Sequence, residues 1–210
     1  MKNNAKYICT IIEILGRIYE SASCTLNFAT PLQLLISTQL AAQSTDKQVN
    51  IVTKNLFEKY KSAEDFANTD LSELEKDIKS IGLYKNKSKN IKASCKMIID
   101  NFNGQVPSTM EELLQLPGVG RKTANVVLGD VFGIPGIVVD THAGRLARRM
   151  GLTDKEDPVK VEFELMKIIP KEEWTNFGHR LVYFGRDCCK AQNPKCSECP
   201  LAHVCKKINV

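Results

Sequence analysis

Leu116–Met150 reads LPGVGRKTANVVLGDVFGIPGIVVDTHAGRLARRM: two helical patterns joined by a Gly-Val-Gly turn, then an aspartate and a basic helical segment. Ahead of the turn, Ser108 and Glu111 have capping-box spacing at the start of a helix. Pro117 stops that helix, because its ring cannot continue it. Gly118 and Gly120 tolerate positive φ and leave backbone N–H groups uncovered by side chains. The following helix places Ala124, Val127, Leu128 and Val131 on one apolar stripe. Its first turn presents free N–H groups and the positive end of a helix dipole, a setting that suits an anion such as phosphate. Lys122 stands at that helix start. Asp140 follows eighteen positions later, ahead of Arg145, Arg148 and Arg149. A neutral lysine amine is a nucleophile, and a carboxylate stabilises a developing cation. Asp140 also has the position of an N-cap for the helix that follows.

Working outward, the whole chain reads as helix after helix. Ile8, Ile11, Ile12, Leu15, Ile18 and Tyr19 form a first amphipathic stripe. Thr30-Pro31-Leu32-Gln33 is a helix start with a cap, a first-turn proline and a capping-box glutamine. Thr45 and Gln48 repeat the spacing. Asp70 and Glu73 open a helix carrying Leu71, Leu74, Ile78 and Ile81, ended by Gly82. Ile91, Cys95, Ile98 and Phe102 make another stripe before Gly104. Asp157-Pro158 opens a later helix that Pro170 stops. Trp174, Phe177, Leu181 and Phe184 mark the last long one. No sustained period-two alternation, internal repeat or low-complexity linker interrupts the pattern, so the fold class is all-α.

Composition bounds the partners. The chain has 210 residues, 43% hydrophobic and 25% charged, with a formal net charge of +5. That is a globular composition with a mild preference for anions. No apolar run reaches membrane-spanning length, and Glu13 and Arg17 interrupt the N-terminal pattern, which is unlike a signal peptide. A cytoplasmic protein is expected, so its 8 cysteines are expected as thiols or metal ligands rather than disulfides.

Four of those cysteines form a C-terminal array. CKAQNPKCSECPLAHVC places Cys189, Cys196, Cys199 and Cys205 in one short loop, where four thiolates converge on a common centre. Ligand chemistry alone admits either a structural zinc or a cubane iron–sulfur cluster. Zinc sites usually pair two C-x2-4-C knuckles, and this array has one. Cys188 is a spare neighbour, while Cys9, Cys24 and Cys95 fall in or near apolar stripes and read as core residues. Lys190 and Lys195 lie within the loop, in reach of a nucleic-acid backbone. Of the three histidines, His142 sits beside Asp140, and a structural role fits it best.

LPGVGRKTANVV followed by VDTH, with the cysteine spacing, resembles the endonuclease III family of base-excision repair glycosylases, and the resemblance runs through most of the chain. It implies a two-lobed helix-hairpin-helix glycosylase fold. A helical barrel lobe would span 24–133, with the hairpin at about 109–131. Residues 1–23 and 134–210 would form a cluster lobe, with the iron–sulfur loop at 189–205 holding a [4Fe-4S] cluster on Cys189, Cys196, Cys199 and Cys205. The implied activity is that of a bifunctional DNA glycosylase and abasic-site lyase, an endonuclease of base excision repair. It removes oxidised or damaged pyrimidines from double-stranded DNA and nicks 3′ to the abasic site through a lysine Schiff base. Lys122 and Asp140 would be the catalytic pair.

The same resemblance assigns DNA contacts. In the family, loops similar to AAQSTD and IGLY supply a glutamine and an apolar wedge, here Gln43 and Leu83, which fill the gap left by an extruded nucleotide. Taken alone, Gln43 reads as a solvated loop amide and Leu83 as a contact with its own helix. Lys85, Lys87 and Lys89 beyond them read as solvated. Gly118 and Gly120 would hold a phosphate, with Arg145 and Arg148 adding contacts. A monomer working in the cytoplasm, on the nucleoid of a prokaryotic cell, is expected. Two other readings stand beside this one. A monofunctional adenine-mismatch glycosylase usually lacks the lysine at 122 and carries a further C-terminal domain. A non-enzymatic hairpin module would leave the Lys122–Asp140 pairing without purpose. Ala143-Gly144 departs from the larger residues the family often has there.

Overall fold

The computed structural model describes the backbone of residues 2–210 and the side chains of residues 5–210. Among the described residues there are helices and turns and no β-strand. The helices are α1 (Lys2–Ile18), α2 (Pro31–Ala41), α3 (Asp46–Lys59), α4 (Ala63–Asn68), α5 (Leu71–Asp77) and α6 (Tyr84–Phe102). They continue with α7 (Met110–Leu113), α8 (Arg121–Phe132), α9 (Thr141–Arg149), α10 (Pro158–Ile168) and α11 (Trp174–Asp187), with a short 3-10 turn at Lys171–Glu173. None is long and apolar enough to cross a membrane.

Short side-chain caps set where several of these helices begin. Thr30, Thr45 and Asp157 each accept a hydrogen bond from the backbone N–H three residues on, that of Gln33, Gln48 and Lys160. Each such cap contributes about 1 kcal/mol by satisfying a donor the helix leaves open. Three features depart from the sequence expectation. The cap before the hairpin is Thr109, which accepts from Glu112 N at 3.2 Å and bonds the Glu112 carboxylate at 2.7 Å. Ser108 and Glu111 have the same spacing, but the helix starts one residue later. α5 stops at Asp77, and residues 78–81 continue as turns that still bury Ile78 and Ile81. α4, absent from the sequence reading, is a six-residue helix held by a reciprocal Ser62–Asp65 capping box.

The contacts divide the chain into two compact units, Cys24–Gly133 and residues up to Ser23 with Ile134–Val210. In the first, α6 packs against α2, α4 and α5, and α2 also meets α3 and α8. Leu34, Leu35, Leu40, Val49, Phe66, Leu74, Ile91 and Ile98 are among its fully buried side chains. In the second, α11 packs on α1 and α9, and α10 on α9. Ile8, Ile11, Leu15, Ile137, Leu146, Val161, Leu165, Phe177, Leu181 and Phe184 share one core with Leu201 of the C-terminal loop. Burial at this level stabilises by about 1.5–3 kcal/mol per large aliphatic side chain.

Candidate functional site

The hairpin of the first unit is built around one close approach. Gly118 has φ +76°, and a Cβ there would lie 2.7 Å from Asn90 Nδ2 and 2.9 Å from Asn90 Cβ. Pro117 O is held from beneath by Ser94 Oγ at 2.7 Å and Gln39 Nε2 at 3.3 Å. Val119 plugs the turn into the core, 7% exposed, while Gly118 and Gly120 face solvent. Only Gly118 uses the left-handed region; Gly120 is extended, at φ −99° and ψ 174°, and is the N-cap of α8. A glycine N-cap has no side-chain acceptor, and no side-chain cap bond closes the start of α8, a setting that suits an outside anion. Lys122 is exposed on that same first turn.

In the second unit, Ile137, Val138 and Val139 are buried and lead to Asp140, which is half-buried. Asp140 Oδ1 caps α9 by accepting from Ala143 N at 2.8 Å. The cap fixes the carboxylate on a rigid element, and one oxygen remains for other work. Ala143 and Gly144, the small pair after it, are buried, and Gly144 lies 3.4 Å from Arg148 Nη1 at the position of its Cβ. All three arginines of α9 donate to backbone carbonyls of other segments. Arg145 Nη2 donates to Gly185 O at 3.1 Å and Cys189 O at 2.9 Å, and meets His142 Nδ1 at 3.2 Å. Arg148 Nη1 donates to Lys155 O at 3.3 Å. Arg149 is 8% exposed, its Nη1 on Lys190 O at 2.7 Å and its Nη2 on Ala191 O at 3.0 Å. Sequence reasoning expected Arg145 to reach phosphate; in the structure its Nη2 joins α9 to α11 and the C-terminal loop. Nothing local to α9 signalled those partners, which come from forty or more residues away.

Gln43 and Leu83 stand in neighbouring loops of the first unit. A Cβ on Gly82 would be 3.6 Å from Gln43 O and 3.7 Å from Ser44 Oγ. Both residues are exposed, Leu83 at 56%, and both are left-handed, at φ +57° and +59°. A left-handed non-glycine residue costs about 1–2 kcal/mol, and such strain gathers at functional sites. Of the three lysines beyond Leu83, Lys85 and Lys89 are exposed, whereas Lys87 is buried. Burial lowers the pKa of its ammonium. Lys87 lies one turn before Ile91 on the apolar stripe of α6, and that register was the available signal.

The four cysteines of the array line one pocket with Arg149, Met150, Phe184, Leu201 and Val210. Arg149 Nη1 approaches Cys189 Sγ at 3.4 Å, and Lys207 N approaches Cys205 Sγ at 3.4 Å. Four soft thiols around one pocket, with N–H donors at two of the sulfurs, fit an iron–sulfur cluster. Cys188 is buried beside them and its thiol faces Lys195 O at 3.8 Å. Of the three cysteines expected in the core, Cys95 is buried and Cys24 half-buried, whereas Cys9 is exposed on the outer side of α1.

Residues 36–171 match the model of the HhH-GPD superfamily base excision DNA repair proteins, and residues 189–205 match the iron-sulfur binding domain of endonuclease III. The loop accordingly carries a [4Fe-4S] cluster. The chain is 50% identical over 196 residues to endonuclease III of Synechocystis sp., covering 93% of this chain and 90% of that one. It is 49% identical over 205 residues to endonuclease III of Bacillus subtilis, covering 97% and 94%. A solved structure described as a trapped endonuclease III–DNA covalent intermediate, an estranged-adenine complex, superposes with a TM-score of 0.93 at 49% identity, covering 97% and 96%. A capped aspartate, an uncapped helix start with an adjacent lysine, and a four-thiol loop thus occur in a chain that belongs to the endonuclease III family of HhH-GPD base excision DNA repair proteins.

Proposed function

We propose that Lys122 supplies the nucleophile and Asp140 the carboxylate of the reaction. The protein is a bifunctional DNA glycosylase and abasic-site lyase acting on damaged pyrimidines in duplex DNA. The observation that carries the assignment is an exposed amine on the first turn of a helix whose own N-terminal N–H groups are uncapped. Those groups, around Gly118 and Gly120, bind a phosphate, which positions the strand without reading its sequence. Gln43 and Leu83 occupy the space that the extruded nucleotide leaves. Arg148 adds a phosphate contact, whereas Arg145 holds α9 in place.

In the chemical step the neutral Lys122 amine attacks the sugar C1′. The glycosidic bond breaks, and the base departs with its electron pair and acquires a proton. The Asp140 carboxylate stabilises the positive charge that develops on the sugar. Loss of a proton from the amine and opening of the sugar ring leave an iminium joining Lys122 to C1′. Removal of a C2′ proton then expels the 3′ phosphate, and the strand is nicked by β-elimination.

Cys189, Cys196, Cys199 and Cys205 hold the cluster, with Cys188 outside the ligand set. Bound there, the cluster supplies cross-linking of the loop rather than bond cleavage. The loop in turn receives the C-terminal end of α9 through Arg149, while Asp140 caps the other end of that helix. Both endonuclease III relatives named above are bacterial, which supports action in the cytoplasm on a bacterial nucleoid. Borohydride reduction on duplex DNA carrying an oxidised pyrimidine tests the assignment. Wild type should form a covalent adduct and Lys122→Gln none. An equal yield of adduct from Lys122→Gln would overturn it.

A further inference from the structure

Lys87 is a cation in the wrong place for a surface residue: it sits on the first turn of α6 at 6% exposure. Its ammonium donates to Leu40 O at 2.9 Å, Ala42 O at 2.5 Å and Ser44 Oγ at 3.3 Å. An ammonium has three protons and no acceptor capacity, so these three bonds satisfy it completely. Two of the acceptors are carbonyls at the C-terminal end of α2, which otherwise lack partners and lie at the negative end of the helix dipole. Two of the three, Ala42 and Ser44, flank Gln43 on either side. The main-chain N–H of Lys87 donates to Leu83 O at 3.1 Å, the ordinary bond that closes the first turn of α6 on its N-cap. The side chain of Lys87 thus ties the loop of Gln43 to the helix turn that Leu83 begins.

Gln43 and Leu83 are both in the left-handed region and exposed. An exposed strained conformation persists only where its surroundings over-determine it. For Leu83 the surroundings include the first turn of α6, and for Gln43 they include the Lys87 ammonium, bonded to the residue on each side. Glutamine and leucine held in this way need no reordering when a duplex arrives, which lowers the entropic cost of inserting them.

We propose that Lys87 is a positioning residue that sets Gln43 and Leu83 as one preformed wedge, so that its loss impairs nucleotide extrusion and leaves the lyase chemistry intact. This rests on the assignment of Gln43 and Leu83 to the space vacated by the nucleotide. Lys87 itself touches neither the DNA nor the reacting sugar. A shift of about 1 Å in a positioning element costs up to about a hundredfold in rate.

The experiment compares wild type with Lys87→Met, Ser44→Ala, the pair Gln43→Ala/Leu83→Ala, and that pair combined with Lys87→Met. All are cluster-loaded proteins of matched visible absorbance. Three quantities are read: excision of an oxidised pyrimidine from duplex DNA, the fluorescence rise of a 2-aminopurine beside the lesion, and β-elimination at a preformed abasic site in single-stranded DNA. Lys87→Met should lower duplex excision and the fluorescence rise together by roughly ten- to a hundredfold and roughly two- to threefold respectively, with single-strand cleavage within about twofold of wild type. Ser44→Ala, which removes one acceptor without exposing a charge, should move the first two readings in the same direction by a smaller factor. It decides the matter if Lys87→Met does not fold. In the Gln43→Ala/Leu83→Ala background, Lys87→Met should add nothing. Equal losses on duplex and single strand, unchanged duplex excision in both single variants, or full additivity in the combined variant would overturn the positioning role. Wild-type duplex excision by Gln43→Ala/Leu83→Ala would instead overturn the assignment of those two residues.

Discussion

Replacing Gly118 by alanine perturbs the hairpin at its tightest point, and the cost can be worked out in two parts. Alanine at φ +76° pays about 1–2 kcal/mol for the left-handed backbone. Its Cβ would also meet Asn90 at 2.7, 2.9 and 3.0 Å; the first of these is the amide end of the side chain, but the second is its Cβ, fixed to α6 and unable to swing aside. Overpacking of that kind costs about 1–3 kcal/mol. The middle of the combined range, about 3.5 kcal/mol, corresponds to a fall in Tm of roughly 7–14 °C for a protein of this size. Gly133→Ala is the matched control, because Gly133 has φ +64° with nothing within 4 Å of its Cβ position. It should incur the backbone part alone. Thermal unfolding of the two cluster-loaded variants, followed by circular dichroism, separates the parts. Fluorescence anisotropy with a duplex carrying a stable abasic analogue should further show weaker binding for Gly118→Ala, because the N–H groups of the turn must move with the backbone. A Gly118→Ala protein no less stable than Gly133→Ala would refute the steric reasoning.

Other variants test the remaining assignments. Asp140→Asn keeps an N-cap acceptor, since asparagine caps as well as aspartate, but removes the charge. It should therefore retain wild-type Tm and lose roughly a hundred- to a thousandfold in excision rate. Asp140→Ala should lose about 1 kcal/mol of stability as well, from the missing bond to Ala143 N. Cys199→Ser should abolish the visible absorption of the cluster and its iron content, whereas Cys188→Ala should keep both; loss of iron in Cys188→Ala would reassign the ligand set. Purified protein should be yellow-brown, and colourless protein with stoichiometric zinc would contradict the cluster.

Much of this architecture is local enough to read from the chain. Thr30, Thr45 and Asp157 announce helix starts because a cap needs only its own side chain and an N–H three residues on. The cysteine array is equally local, since spacing alone confines four thiols to one loop. The Ser108-to-Thr109 shift arose because two overlapping capping boxes have the same spacing, and sequence does not say which the core selects. α4 is too short to show a period, and its box uses aspartate where glutamate or glutamine is usual. The partners of Lys87 and Arg145 were not legible for a common reason. Each cation donates mainly to backbone carbonyls of another element, and a carbonyl leaves no trace in the residue type that carries it. At Lys87 the stripe of α6 outweighed the preference of a lysine for water, because the end of α2 offered acceptors there.

In the proposed chemistry one nitrogen, that of Lys122, becomes bonded to the sugar. Proteolysis of the borohydride-reduced wild-type adduct, with mass spectrometry of the DNA-linked peptide, locates that bond directly. The nucleotide remnant should be found on Lys122 alone. A remnant on any other lysine or on the N-terminal amine would contradict that chemistry.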